Sequence, residues 1–275
     1  MAKRATPPGA PQQVALESQS EDRFERAARI AWIDLKRVAG TRVMVVGAGA
    51  LGNEVCKNLV LSGFRRFTLV DMDRVVFSNL NRCLFFTDGD ARGRELKVNA
   101  VRRGMMAMVP GIEVDTHADR IENLPEGAFG DHDLIVGCVD NAAARIHLNA
   151  HAYFRRRPYI DGGTLGMLGK VQVVLPPTTP CVQCTMNKTH MAEVARRYSC
   201  TGGGMTFVDA PVAAEVTTTA AVAAVQAREA VKLASGRADS ALAHMWYYDG
   251  LKGTAEVLKV SLNPGCPVHV PVAPA

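Results

Sequence analysis

Residues 42–82 read RVMVVGAGALGNEVCKNLVLSGFRRFTLVDMDRVVFSNLNR, and this stretch decides the fold. It opens on an apolar run, Val43-Met44-Val45-Val46, short enough to predict a buried strand. Gly47, Gly49 and Gly52 follow at G-x-G-x-x-G spacing. Leu51, Val55, Leu59 and Val60 then recur at helical spacing, and Phe67-Thr68-Leu69-Val70 predicts a second strand ending in Asp71. Asp71 stands nineteen residues after Gly52, about where a carboxylate can hold a ribose hydroxyl. Glycines let a backbone come close to phosphate, and a helix N-terminus offers free N–H groups and the positive end of a dipole. Strand, glycines, helix, strand and acid, in that order, predict a mononucleotide site.

Working outward, residues 1–20 are rich in Pro, Gln and Ser and read as a disordered tail. From Glu21 the pattern Phe24, Ala27, Ala28, Trp32, Leu35 predicts one amphipathic helix carrying Arg23, Arg26 and Arg29. After Arg82, residues 88–94 read as a turn-rich loop, Glu95 opens a helix containing Lys97, and Ile112–Thr116 is a candidate third strand. Residues 133–140 predict a buried parallel strand ending in Asp140, with a helix over 141–153. Asp140 is open to two compatible readings. Strands entering helices often present an N-cap there, and open α/β sheets bind ligands at the carboxyl ends of strands. Residues 158–161 and 170–175 read as further strands separated by Gly162-Gly163-Thr164-Leu165-Gly166. Met245–Tyr248 and Ala255–Val260 read as an antiparallel hairpin. The fold expected is α/β, a Rossmann-like mixed sheet with a parallel N-terminal part and antiparallel C-terminal strands, in one domain over residues 21–275.

Cys181-Val182-Gln183-Cys184 is C-x-x-C, and Cys266-Pro267-Val268-His269, some eighty residues later, is C-x-x-H. Together the two knuckles offer three thiolates and an imidazole to a tetrahedral Zn²⁺. A lone C-x-x-C could be redox-active instead, but here the second pair supplies the missing ligands. Cys56 and Cys138 read as core filling. Cys200 stands alone beside Gly202-Gly203-Gly204, either an incidental exposed thiol or a nucleophile for an activated acyl group.

Composition narrows the class. Hydrophobic residues make up 48% and charged residues 21%, as in ordinary globular proteins. A net charge of +5 without a long basic run suits a nucleotide or an acidic partner and argues against nucleic acid. Seven scattered cysteines predict a reducing compartment, hence a cytoplasmic location. The Ala/Val-rich stretch 210–233 contains Glu215, Gln226, Arg228 and Glu229, so it reads as a buried helix with no membrane role. The N-terminus shows no signal-peptide pattern.

The dense polar stretch after Asp71 changes the expected nucleotide. A nicotinamide dehydrogenase has no need for Ser78-Asn79-Leu80-Asn81-Arg82. An enzyme that cleaves ATP between the α- and β-phosphates needs fixed donors there, where charge develops. Through these residues, and through Leu61-Ser62-Gly63-Phe64, the sequence resembles the ThiF/MoeB and ubiquitin-activating adenylyltransferases, most of all the adenylating subunit of ubiquitin-like-protein activators. The resemblance runs from about Glu21 to His269. It implies that MgATP binds on the glycine loop and that the C-terminal carboxylate of a small protein ending Gly-Gly attacks the α-phosphorus. It implies that Asp71 and Asp73 contact the nucleotide, that Asn79, Arg82 and Lys97 neutralise phosphate, and that Asp140 holds Mg²⁺. Arg26 would reach the phosphates, often from the neighbouring subunit of a homodimer. A crossover loop at about 185–209 would carry Cys200 as a thioester or sulfur-bearing nucleophile, which brings in a conjugating enzyme as a possible partner. The family has C-x-x-C at both knuckles, so His269 departs from it. Cys83 stands where the family usually has glutamine. A sulfur-carrier adenylyltransferase for molybdopterin or thiamin synthesis, and a catalytically silent scaffold that binds a ubiquitin-like protein, are the competing readings.

Overall fold

The computed structural model describes residues 22–186 and 213–269. The chain begins with two short helices, α1 (Glu25–Ala28) and α2 (Leu35–Gly40), in place of the single helix expected from Glu21. The break has a local cause. Asp34 is extended, and its carboxylate accepts a hydrogen bond from the Arg37 N–H, so a second helix starts where the first would have continued. Such a cap contributes about 0.5–2 kcal/mol.

Strand β1 (Arg42–Val46) leads through the glycine loop into α3 (Ala50–Leu61) and β2 (Arg66–Val70). Residues 88–94, expected as loop, contain α4 (Asp88–Gly93). Thr87 and Asp90 form a reciprocal capping box at its start, and Arg94, at φ 53°, ends it in the left-handed region. Then come α5 (Lys97–Met108), β3 (Glu113–His117), α6 (Glu126–Gly130), β4 (Leu134–Gly137) and α7 (Ala142–Phe154). β5 (Tyr159–Leu165) and β6 (Leu168–Val174) form a hairpin. Gly162 and Gly163, predicted to separate two strands, therefore lie within β5 itself. The turn falls at Gly166, whose φ of +59° suits glycine. The Ala/Val-rich stretch becomes α8 (Val216–Ala234), whose start is capped by Glu215 accepting from the Thr217 and Thr218 N–H groups. Strands β7 (Met245–Asp249) and β8 (Thr254–Leu258) complete the sheet. Among the described residues no helix is long and apolar enough to cross a membrane.

The eight strands run in the order β3-β2-β1-β4-β5-β6-β7-β8. β3 through β5 are parallel, and β5 through β8 are antiparallel. The mixed sheet predicted from the sequence is thus the one formed. Alternation explains how both faces are covered. Val43, Val45, Leu134 and Val136 join the core beneath α3, α5 and α8, while Met44, Val46 and Ile135 join the core beneath α6 and α7. Cys56 and Cys138 are buried within the first of these cores, as expected. Burial pushes the Cys56 thiol up to about 12, which suits a packing role.

Candidate functional site

Strands β1 and β4 are neighbours, yet the chain leaving β1 turns toward β2 and the chain leaving β4 turns toward β5. That divergence opens a crevice at the carboxyl ends of the strands. A cavity of about 870 Å³ occupies it, which is large enough for a nucleotide with part of a second substrate.

One wall is the glycine loop, and each glycine has its own reason. A Cβ on Gly47, where φ is +96°, would stand 2.4 Å from the Cys138 carbonyl oxygen. A Cβ on Gly52 would stand 1.9 Å from the Gly47 carbonyl oxygen. Around Gly49 an added Cβ meets no protein atom within 4 Å, and Gly49 lines the cavity. Two glycines therefore close the loop onto the fold, and the third leaves a bare backbone face for phosphate at the start of α3. The sequence did not single out Asn53, which ties this loop down. Its amide donates to the Ala48 and Gly49 carbonyls at 2.9 and 3.0 Å, and its oxygen accepts from the Phe85 N–H at 2.9 Å. An uncompensated asparagine on the buried face of an otherwise apolar helix was the available signal.

Asp71 faces the loop. Its carboxylate accepts from the Ala48 N–H at 2.7 Å and the Asp73 N–H at 2.8 Å, with lone pairs left over for a ribose. Burial raises its pKa, and Lys97 and the two N–H groups oppose that rise. Lys97 is the first residue of α5, two residues later than expected. Its ammonium lies 2.6 Å from the Asp73 carboxylate. Burial pulls the Lys97 pKa down, but Asp71 and Asp73 outweigh burial and hold it above the ordinary value. Asn79 and Arg82 also line the cavity. Asn79 accepts from the Val76 N–H, and Arg82 donates to the Ser78 carbonyl and the Asn81 side chain. Cys83, next to Arg82, is buried in the core, and burial raises its thiol to about 11.

Across the crevice, Asp140 follows β4 and lines the same cavity. The capping role belongs to its neighbour, because the Asn141 side chain accepts from the Ala144 N–H at 2.8 Å. Asp140 is exposed and takes no hydrogen bond or ion pair from the described residues. A free carboxylate opposite the glycine loop fits Mg²⁺, which is bound by one or two carboxylates plus substrate phosphates.

Behind Asp140 lies a charged cluster not anticipated from the sequence. Arg145 on α7 pairs with Asp161 of β5, which is fully buried. The Tyr159 hydroxyl donates to Asp161 at 2.9 Å, and Lys170 stands 3.5 Å from it. Burial raises the Asp161 pKa, but Arg145 and Lys170 override it and keep the carboxyl ionised, below its ordinary value. Removing one member of such a pair alone costs about 3–5 kcal/mol.

The two knuckles come together. Cys181, Cys184, Cys266 and His269 present ligand atoms all within 4.8 Å of one another. The Cys181 sulfur lies 3.6 Å from that of Cys266 and 3.9 Å from that of Cys184. Tetrahedral Zn–S bonds of about 2.3 Å require sulfurs about 3.8 Å apart, so the set fits zinc and could hold it. Such an ion would tie the C-terminal segment to the turn after β6. The Tyr153 hydroxyl lies 3.0 Å from His269 Nδ1, and Nε2 accepts only a long bond, 3.4 Å, from the Cys181 N–H, one that a metal on Nε2 would replace.

Two expected residues are not in this assembly. Arg26 on α1 is exposed and does not line the cavity of its own chain. Cys200, with most of the crossover loop, lies outside the described residues.

The metal cluster generates a prediction. Purified protein should contain about one zinc per chain, and a strong chelator should lower its melting temperature. Tyr153→Phe, which removes the partner of His269 Nδ1, should weaken zinc binding about 10- to 100-fold in chelator competition. Protein that carries no zinc and melts unchanged in chelator would end the assignment.

The chain is 37% identical over 158 residues to the NEDD8-activating enzyme E1 catalytic subunit of Arabidopsis thaliana, covering 53% of this chain and 34% of that one. It is 31% identical over 181 residues to the Caenorhabditis elegans counterpart, covering 59% and 42%. The chain thus spans less than half the length of these curated relatives. Among solved structures, E. coli MccB with ATP superposes with a TM-score of 0.72 at 18% identity, over 90% of this chain and 75% of that one. MccB with selenomethionine-labelled MccA gives 0.74 at 18% identity, over 92% and 75%; at this identity the likeness concerns the fold. The ThiF family profile matches residues 23–268, and the chain belongs to the ThiF family.

Proposed function

We propose that the protein transfers AMP from ATP to the C-terminal carboxylate of a small ubiquitin-like protein ending Gly-Gly. The observation that carries this reading is the convergence, in one cavity, of a bare glycine loop, Asp71, three polar side chains (Asn79, Arg82, Lys97) and the free carboxylate of Asp140. The glycine-loop end suits the nucleotide. The opposite end is lined by Gly163, Thr164 and Ala214, small residues that leave room for a narrow Gly-Gly tail.

In the proposed step, a carboxylate oxygen of the tail forms a bond to the α-phosphorus. The bond from that phosphorus to the bridging oxygen breaks, and its electron pair leaves with pyrophosphate. No general base is required, since the attacking carboxylate is already ionised at neutral pH. Catalysis is then positioning and electrostatics. Mg²⁺ held by Asp140 would neutralise phosphate charge. Lys97 would move from Asp73 to the phosphates, and Arg82 would turn from its own loop toward them.

Relatives named for NEDD8 activation favour a ubiquitin-like partner over a sulfur carrier for molybdopterin or thiamin synthesis, which the same chemistry would serve. A silent scaffold would not need the assembled cations. Transfer of the acyl group to Cys200 as a thioester, and onward to a conjugating enzyme, rests on the glycine-flanked sequence around that residue. A cytoplasmic location rests on the cysteines, and all six among the described residues are free thiols.

The test is ATP–pyrophosphate exchange with a panel of small β-grasp proteins carrying free Gly-Gly tails. Exchange should depend on one of them, and Asp140→Ala should lower it by about 10²-fold or more with the melting temperature retained. Cys200→Ser should exchange normally yet give no thiol-sensitive adduct on a non-reducing gel. Wild-type exchange by Asp140→Ala would refute the metal role.

We also propose a homodimer in which Arg26 completes the partner's site. Its exposure and its absence from the lining of its own chain's cavity support this reading, as does the preference of soluble oligomers for two-fold symmetry. Mixing Arg26→Ala with Asp140→Ala chains should restore part of the activity, since one of the two composite sites is then intact. Mixtures that stay inactive despite measured subunit exchange would argue that Arg26 acts within its own chain.

A further inference from the structure

We infer that Arg145 is a positioning residue that fixes the separation between the two ends of the site, Asp140 after β4 and Gly163–Thr164 on β5. The inference rests on the adenylation reading above. The guanidinium spans the gap between the two strand ends. One nitrogen donates to the Val139 carbonyl at 2.7 Å, immediately before Asp140. The other donates to the Gly162 carbonyl at 2.9 Å, immediately before Gly163, and to Asp161. Arg145 is itself buried yet borders the cavity. A planar fork is suited to this task, because its donors are fixed relative to one another. Lysine offers a point charge on a flexible stem and cannot hold both carbonyls in one geometry.

Gly163 reports on the same contact from the other side. A Cβ added there would stand 3.2 Å from Nη2 and 3.3 Å from Nη1 of Arg145, and 3.3 Å from the Lys170 side chain. The tip of the guanidinium fork, with its two terminal nitrogens, therefore abuts the bare Gly163 backbone. A methyl group at this position makes the fork that holds Val139 and Gly162 give by a few tenths of an ångström, without changing any charge. Displacement of Val139 carries Asp140 with it, while the glycine loop, held by Asn53, stays in place.

The two variants are Arg145→Lys, which keeps a cation beside Asp161, and Gly163→Ala, which keeps every charge. The readout is equilibrium binding of ATP without partner, by calorimetry, with and without a Mg²⁺ series, alongside thermal melting. The expected result is that Mg²⁺-free ATP affinity stays within about twofold, while the Mg²⁺ concentration that half-maximally tightens ATP rises about 10-fold or more in both variants. A purely structural role would lower melting temperature and both affinities together. Should Arg145→Lys melt below the assay temperature, Gly163→Ala decides the question. An unchanged Mg²⁺ requirement in Gly163→Ala, with a raised one in Asp140→Ala, would overturn this inference alone. An unchanged requirement in Asp140→Ala would overturn the metal reading and this inference with it.

Discussion

The site depends on one close contact, that of the Gly47–Gly52 turn with the end of β4. Adding a single carbon at Gly52 would place it 1.9 Å from the Gly47 oxygen, and one at Gly47 would fall 2.4 Å from the Cys138 oxygen. No side chain fits between these backbones. Because α3 can pack this tightly, its N-terminus opens directly beside the end of β4, and Asp140 faces it across the crevice. Asn53 extends the constraint by joining the loop to the segment that follows Arg82. The glycine loop, the polar side chains of the cavity and the Asp140 carboxylate are thus referenced to one turn.

Electrostatics set the resting arrangement. Lys97 and Arg82 sit at the cavity with their charges engaged, one with Asp73 and the other with its own loop. In the proposed reaction phosphate would compete for these cations, and the competition is local because the partners are adjacent. Asp140 has no such partner to leave among the described residues. The Arg145–Asp161 pair does a different job, since its charges are buried and paired with each other, with Tyr159 on the same Asp161 oxygen and Lys170 3.5 Å from the other. Buried pairs give little net stability, so the value of this one lies in the geometry it imposes on the two strand ends.

Much of this was legible in the sequence, and the reason is local chemistry. Glycine spacing, apolar runs and an acid at the end of a strand are written in contiguous residues, and β1, α3, β2 and Asp71 formed where those signals lay. The two cysteine knuckles were legible because tetrahedral coordination demands four ligands and the chain contains two matching pairs. What was missed depends on contacts across the chain. Arg145 reads as one more charge on α7 until Val139 and Gly162 are brought to it. Asp161 reads as the end of a strand until β5 is seen to continue through the glycines. At the N-terminus, apolar periodicity suggested one helix, and the cap at Asp34 overrode it. Asp140 offered itself as a cap, but Asn141 took that role, which is why the aspartate is free.

The central claim is that a carboxylate oxygen of the partner becomes bonded to the α-phosphorus of ATP. It is tested most directly by following that oxygen. A partner whose C-terminal carboxylate carries ¹⁸O is incubated with the enzyme and MgATP, with hydroxylamine as the acyl acceptor. Hydroxylamine attacks the carbonyl carbon, so the bond between the acyl carbon and the bridging oxygen breaks. The account predicts one ¹⁸O atom in the AMP released and none in pyrophosphate. Label found in orthophosphate, or AMP free of label, would contradict it.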